Sequence, residues 1–211
     1  MAYQTINPYT GETLETFPNT TDAQVQQAIE SAHTAFLSWR DTPFSQRAAV
    51  LTKAAQLLRA SKLDFAKILT LEMGKLLAEA HAEVELSAEI LDYFAAHGEA
   101  FMQPDTLPVS KANGRAIVAR EPLGVLLAVE PWNFPYYQVA RILAPQLMAG
   151  NTLLLKHASN VQQSALAFEK LMRDAGLIDG AFINLFVNHT QIETILNYTR
   201  VHGVALTGSE G

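Results

Sequence analysis

The sequence contains no cysteine among its 211 residues. Disulfide bonds, thiolate metal sites and cysteine nucleophiles are therefore excluded within this chain. The six histidines are scattered, and none forms the HExxH pair typical of a metal-binding helix, so we assign no metal site. The GxGxxG phrase is also absent, which excludes the ordinary dinucleotide-binding motif.

Positive charge and long apolar runs are scarce as well. Fifteen lysines and arginines face 21 acids, giving a formal net charge of −6. We therefore expect neither nucleic acid nor an anionic membrane as a partner. The most apolar run, residues 125–129, is much too short to span a bilayer. The first residues lack a basic segment followed by an apolar stretch, so we expect no signal peptide and a cytoplasmic protein.

Hydrophobic residues make up 49% of the chain, which is too much for a disordered protein and enough for one sizeable core. The pattern changes near residue 110. Before it, apolar residues recur at helical spacing, and Thr21 with Gln24 predicts a capping box at the first helix. The helical stretches are residues 25–36, 48–58, 64–71 and 76–94.

After residue 110, short β-like runs alternate with helical or apolar stretches. The predicted strands are residues 116–118, 125–129, 152–155, 182–186 and 204–206, and the intervening stretches are 139–148, 162–174 and 192–198. This alternation predicts an α/β fold, with a Rossmann-like parallel sheet covered by helices on both faces. A helical N-terminal region and a β-ribbon precede the sheet.

Ligands of such sheets bind at the carboxyl ends of the strands, so the residues that follow each strand are the candidates for a site. Residues 131–135, PWNFP, follow the strand at 125–129. The flanking prolines stiffen the loop, and the amide of Asn133 is a neutral donor suited to a developing oxyanion. The alternative is that Asn133 caps the following helix.

Lys156 and His157 follow the strand at 152–155. A lysine at the end of a buried strand must reach water or a partner, so Lys156 either binds ribose hydroxyls or a phosphate, or extends into solvent. We interpret His157 as a polar edge residue and not as a ligand. Gly208 and Ser209 follow the last strand, where a turn would offer backbone amides and a hydroxyl to a pyrophosphate.

These phrases together resemble the cofactor-domain landmarks of the NAD(P)-dependent aldehyde dehydrogenase superfamily. The matching phrases are Pro131-Trp132-Asn133-Phe134-Pro135, Lys156-His157-Ala158 and Leu206-Thr207-Gly208-Ser209. Glu72-Met73-Gly74-Lys75 and the later Glu83-Val84 are also similar to family phrases. The histidine after Lys156 resembles a succinate-semialdehyde dehydrogenase branch.

The resemblance implies a role for each matching residue. Asn133 would donate to the oxyanion of a thiohemiacetal, and Trp132 and Asn133 would lie beside an NAD or NADP cofactor. The segment from Lys156 through Ala158 to Ser159 would bind the adenosine ribose, and Gly208 with Ser209 would contact the pyrophosphate. Arg141, in the helix after PWNFP, would pair with the distal carboxylate of a semialdehyde. The alternative for Arg141 is an ion pair on the helix surface.

The resemblance also implies a domain organisation. Residues 1–110 form the helical N-terminal part of the cofactor-binding domain, residues 103–121 an oligomerisation-type ribbon, and residues 122–211 the βαβ cofactor-binding part. The expected partners are a small-molecule aldehyde and a dinucleotide, and the ribbon implies a homodimer or homotetramer.

The nucleophilic cysteine and the general-base glutamate of the family are missing. We therefore expect the N-terminal part of a semialdehyde dehydrogenase, without activity on its own. Two alternatives remain: a non-catalytic nucleotide-binding or assembly module, and an inert folding fragment whose exposed sheet edge drives aggregation.

Overall fold

The computed structural model describes residues 3–110 and 114–209. The strands are β1 (Tyr3–Ile6), β2 (Thr13–Phe17), β3 (Asp105–Leu107), β4 (Ala116–Val118), β5 (Val125–Glu130), β6 (Thr152–His157), β7 (Phe182–Asn184) and β8 (Val201–Leu206). The helices are α1 (Asp22–Trp39), α2 (Phe44–Ala60), α3 (Lys62–Met73), α4 (Leu77–Phe101), α5 (Pro135–Ala149), α6 (Gln162–Asp174) and α7 (His189–Leu196).

The central sheet is parallel, with strand order β7-β6-β5-β8. Leu126 and Ala128 of β5 point into a core formed with α2, α4, α5 and α6. Val125 and Leu127 point into a second core with α1 and α7 on the opposite face. Because both faces are covered, β5 and β6 consist of nearly continuous apolar residues. The predicted fold class is confirmed.

The helical region begins as predicted at α1, where Thr21 and Gln24 form a capping box. Pro43 precedes α2, since its fixed φ suits the start of a helix. The predicted helix at 76–94 is longer than expected and continues to Phe101, because aromatic rings in its last turns, including Tyr93 and Phe94, pack on one another.

Four of the five predicted strands differ from the prediction at one boundary. β5 and β6 end at Glu130 and His157, one and two residues beyond the predicted ends at 129 and 155. The strand expected at 182–186 ends at Asn184. Beyond it, the backbone N–H of Phe186 donates to the hydroxyl of Thr20, and the carbonyl of Phe186 accepts from the N–H of Thr20. The N–H of Leu185 still donates to the carbonyl of Leu155 in β6 at 2.8 Å, and at Phe186 the backbone hydrogen bonds pass to the segment before α1. The last strand begins at Val201, three residues earlier than the predicted start at 204.

β1 and β2 form one antiparallel hairpin, and β3 and β4 form another. The second hairpin lies within the segment 103–121 that was predicted to be a ribbon, and residues 111–113 of that segment lie outside the described residues. Its apolar side chains are largely exposed: Leu107, Val109, Ile117 and Val118. The domain division and the role of the ribbon in assembly stay predictions.

Candidate functional site

The carboxyl ends of β5, β6 and β8 lie side by side at one edge of the sheet. Glu130 pairs in register with His157, and Val129 pairs with Leu206. The N–H of Thr207 donates to the carbonyl of Val129 at 3.0 Å, which extends this alignment past the end of β8. The loops that follow the three strands therefore converge, as the parallel topology predicts.

Two cavities, each of about 580 Å³, open at this edge. The β6-side cavity is lined by Ser159, by residues of β1 and α3, and by the segment before α7. The β8-side cavity is lined by predicted site residues from three loops: Asn133, Ala158, Gly208 and Ser209. Trp132 and Lys156 line both cavities. A ligand that extends from one cavity to the other would contact all the predicted cofactor-binding residues.

Asn133 does not cap α5. The residue at the N-cap position is Phe134, and no side chain there accepts a hydrogen bond from the helix. The carbonyl of Asn133 accepts from Lys75 Nζ at 2.8 Å, whereas its side-chain amide has no hydrogen bond within the described residues. The helix-cap alternative is therefore wrong, and the amide is available to a ligand in the β8-side cavity.

Lys156 is half-buried at the end of β6. Burial lowers the pKa of its ammonium, since desolvation disfavours the charged form. Over residues 3–110 and 114–209, no carboxylate forms an ion pair with it. A cation in this position is suited to bind an anionic or hydroxyl-rich ligand.

The expectation that His157 is a polar edge residue is wrong, because its side chain is fully buried. Its Nδ1 accepts from the N–H of Ala158 at 2.9 Å. Nε2 therefore carries the proton, and it donates to the carbonyl of Pro135 at 3.0 Å. The ring joins the loop after β6 to the start of α5. Burial lowers the pKa of His157 to about 4.

This burial predicts an acid-sensitive contribution to stability. Protonation would place a second N–H against the N–H of Ala158, so the folded chain favours neutral His157. The contribution of neutral His157 to the free energy of unfolding is roughly 3 kcal/mol. It is present above pH 6.5 and is lost as the pH falls toward 4. In His157→Asn, the amide oxygen can replace Nδ1 without titrating. Urea unfolding measured between pH 7.5 and 4 should show that the difference in free energy of unfolding between the wild type and this variant shrinks as the pH falls. A constant difference would contradict the buried neutral ring.

Buried carboxylates from the helical region occupy the first turns of α5 and α6. Glu83 accepts from the N–H of Tyr136 at 2.8 Å. Glu72 accepts from the N–H groups of Gln163 at 2.6 Å and Ser164 at 2.9 Å. Burial raises the pKa of Glu72 to about 7, although the hydrogen bonds from Ser164 and Gln163 act in the opposite direction. Because these carboxylates already occupy the two helix N-termini, a pyrophosphate cannot bind there as it does in ordinary Rossmann folds. The turn after β8 is therefore the better candidate for the pyrophosphate site.

The turn after β8 is described only as far as Ser209. Residues 210–211 lie outside the described residues. Gly208 and Ser209 line the β8-side cavity at the end of this segment. The turn therefore reaches this cavity, and its contact with a pyrophosphate stays a prediction.

Arg141 lies on α5, and its Nη2 donates to the hydroxyl of Thr207 at 2.8 Å. Within the described residues it forms no ion pair at contact distance, so its charge is not neutralised by a direct partner.

Glu130 lies near both Arg141 and Thr207. Burial raises the pKa of Glu130 to about 7, while Thr207 and the charge of Arg141 act in the opposite direction. Oε2 of Glu130 and Oε1 of Gln138 are buried without hydrogen-bond partners in the described part of the chain.

Four residues that hold or line the candidate site were not predicted from the sequence: Glu72, Glu83, Glu130 and His189. His189 lies at the start of α7 and lines the β6-side cavity with Ser159. A detectable signal existed for Glu83, because it stands on the buried stripe of α4, where an isolated carboxylate is unusual. His189 has no comparable signal, since only the tertiary fold brings it to the cavity.

No group of three or more potential metal ligands occurs in the part of the chain that the structure describes. The helices within the described ranges also lack the combination of length and apolar character that a bilayer span requires.

The whole chain, residues 1–211, matches the aldehyde dehydrogenase family. It is 49% identical to the succinate-semialdehyde dehydrogenase [NADP(+)] of Deinococcus radiodurans over 208 residues, covering 99% of this chain and 43% of that protein. It is 46% identical to succinate-semialdehyde dehydrogenase [NADP(+)] 1 of Mycobacterium tuberculosis, covering 100% of this chain and 46% of that protein.

Solved structures agree with these relatives. The succinic semialdehyde dehydrogenase of Streptococcus pyogenes, in complex with NADP+, superposes with a TM-score of 0.95 at 44% identity, covering 99% of this chain and 46% of that one. The chain thus spans about half the length of the relatives it matches. The family match over all 211 residues, together with this likeness in fold, shows that the chain belongs to the aldehyde dehydrogenase family.

Proposed function

We propose that this chain is the cofactor-binding, N-terminal portion of an NADP-dependent dehydrogenase that oxidises succinate semialdehyde to the acid. The observation that carries the proposal is the convergence of Asn133, Lys156 and the Gly208–Ser209 turn on two adjoining cavities that share Trp132. The names of the relatives support the substrate and the cofactor. The nucleophile and general base must come from sequence that this chain does not contain.

A chimera tests this proposal. It replaces the 208 matching residues of the Deinococcus radiodurans relative with this chain, so that the rest of that enzyme supplies the missing groups. NADP reduction with succinate semialdehyde would support the proposal. A folded chimera without this activity would overturn it.

The residues around the β6-side cavity fit the adenosine end of NADP. Lys156 offers a partly desolvated positive charge, and Ser159 offers a hydroxyl that donates to a phosphate oxygen. NAD-preferring members of the family often carry a glutamate at the position of Ser159, which repels a 2′-phosphate. His189 and Asn188 form another part of the wall. We propose that NADP is accepted at least as readily as NAD.

Ser159→Glu should reverse this preference. A carboxylate would repel the 2′-phosphate and accept hydrogen bonds from the ribose hydroxyls, so we expect NADP affinity to fall by about tenfold or more, a change of roughly 1.4 kcal/mol. NAD affinity should be kept or improved. Calorimetric titration of the 211-residue chain with each cofactor measures the change. Ser159→Gln is the matched control without charge. A wild type selective for NAD and unaffected by Ser159→Glu would show that another residue discriminates.

The β8-side cavity is suited to the reacting end. A bound nicotinamide would supply the hydride acceptor there, beside Trp132 and Asn133. Asn133 would donate its amide hydrogen to the substrate oxygen as negative charge develops there. Oε2 of Glu130 and Oε1 of Gln138 are buried without partners within the described residues and can accept hydrogen bonds from a ligand. Arg141 would bind the distal carboxylate, a role supported by its lack of a paired carboxylate at contact distance in the described part of the chain.

Arg141→Ala in the chimera should weaken binding of the acidic substrate selectively. Removal of a charge-assisted hydrogen bond is expected to raise KM for succinate semialdehyde by about 10–100-fold. Butanal has the same number of carbons and no carboxylate, so its KM should change far less. Arg141→Lys keeps the charge but loses the bidentate fork, and we expect an intermediate effect. Equal changes for both aldehydes would remove Arg141 from the substrate site.

We further propose that the β3–β4 hairpin mediates assembly into a homodimer or homotetramer. Its exposed side chains Leu107, Ile117 and Val118 form apolar surface on a strand pair that has no third strand among the described residues. Arg120 pairs with Asp105 at 2.5 Å and joins the ends of the hairpin.

A further inference from the structure

Lys75 and Glu83 form an ion pair at the junction of α3 and α4. Lys75 follows Gly74, whose φ of 77° ends α3 in the left-handed conformation. The side chains of Lys75 and Glu83 are only 7% and 0% exposed. Lys75 Nζ donates to Glu83 Oε2. Neither residue has a role in the function proposed above.

Both members of this pair reach the loop that carries Asn133. Lys75 Nζ donates to the backbone carbonyl of Asn133 at 2.8 Å and lies 3.7 Å from the centre of the Phe134 ring, a favourable cation–π position. Glu83 Oε1 accepts from the N–H of Tyr136 at 2.8 Å. The pair therefore fixes the loop at Asn133 and again at the first turn of α5.

The start of α5 depends on this contact. Phe134 provides no side-chain cap, and Pro135 has no N–H to donate. Glu83 supplies the acceptor that a local Ser or Asp would normally supply. The contacts involve only the backbone of Asn133. Its amide remains free to face the β8-side cavity.

Stability alone does not require an ion pair here. Removing two charges from water costs several kcal/mol per ion, and apolar replacements of buried pairs are often as stable. An ion pair that fixes one backbone geometry can instead contribute to catalysis, because an oxyanion donor acts only when it is aimed correctly.

We propose that Lys75 is a positioning residue for Asn133. It fixes the backbone from which the Asn133 amide is aimed, and Glu83 holds both Lys75 and the first turn of α5. This inference rests on the proposed function, in which Asn133 is the oxyanion donor.

The test uses the chimera with Lys75→Met and Glu83→Gln combined. Lys75→Met alone would leave a buried unpaired carboxylate and risks unfolding the protein. In the double variant no charge remains, and the Gln carbonyl can still accept from Tyr136. We expect kcat for succinate semialdehyde to fall roughly 10–100-fold, with an unchanged Kd for NADP in a fluorescence titration.

A second background separates positioning from general damage. Because Lys75 acts through Asn133, the double substitution should lower kcat no further when Asn133 is already alanine. Trp39→Phe serves as a control for weakened packing of α5. It removes the hydrogen bond from Trp39 Nε1 to the carbonyl of Leu147 at 3.0 Å, at the far end of the helix, and should leave kcat unchanged.

The outcomes distinguish the two proposals. Wild-type kcat in the Lys75→Met/Glu83→Gln variant, or equal losses with and without Asn133, would overturn the positioning role alone. A kcat loss shared by Trp39→Phe would do the same. A folded but inactive chimera would overturn the proposed function, and the positioning role with it. Full kcat in Asn133→Ala would overturn the oxyanion role of Asn133 and the positioning role of Lys75, but not the proposed activity.

Discussion

The isolated 211-residue chain should reduce no NADP in the presence of succinate semialdehyde, whereas the chimera should. Covalent oxidation of an aldehyde through a thiohemiacetal requires a thiolate, and the chain has no cysteine. No other side chain in it combines the nucleophilicity and leaving ability of a thiolate near pH 7. We therefore expect no turnover by the isolated chain and measurable turnover by the chimera. The absorbance of the reduced cofactor measures both.

The comparison needs a control for folding. Both proteins should show cooperative urea unfolding and should bind NADP, so that inactivity of the chain cannot be assigned to an unfolded cofactor site. Cofactor reduction by the purified chain above a no-enzyme background would contradict the account, since it would require a nucleophile that we have not recognised.

Asn133→Ala in the chimera should lower kcat by about 10²–10³-fold, the range found when one oxyanion donor is removed. The amide of Asn133 has no hydrogen-bond partner within the described residues and lines the β8-side cavity. Its loss should therefore disturb little of the ground-state structure, and Kd for NADP should stay nearly constant. Stopped-flow measurement of the first turnover would show whether the loss lies in the acylation step.

Asn133→Asp is the matched variant. It has the same shape, but its carboxylate accepts hydrogen bonds and carries negative charge, so it should impair kcat at least as much as alanine. A variant that loses NADP binding and keeps its turnover would show that Asn133 is structural.

The sheet and most of its loops could be predicted from sequence because their signals are local. β5 and β6 are continuous apolar runs, as expected for parallel strands buried on both faces. The residues at and just beyond the carboxyl end of each strand are then easily located, which led to Asn133 and Lys156. The break at Pro43 and the cap at Thr21 depend on neighbouring residues only.

The remaining features depend on contacts between residues distant in sequence. Glu83 reaches α5 across 53 positions, and Glu72 reaches α6 across 91. His157 was misjudged because its polarity suggested exposure, whereas two backbone groups satisfy its ring inside the core. The early end of the strand expected at 182–186 has the same origin, since the backbone groups of Phe186 bond to Thr20, which is distant in sequence.

The central claim is that the carboxyl edge of the β7-β6-β5-β8 sheet binds NADP across both cavities. Amide chemical shifts of the isotope-labelled 211-residue chain, recorded while NADP is added, test it most directly. We expect the largest changes at residues 132–133, 156–159 and 207–209, together with the indole N–H of Trp132. NAD should produce smaller changes at Ser159. Changes confined to other faces of the molecule, or no changes at any NADP concentration, would contradict the claim.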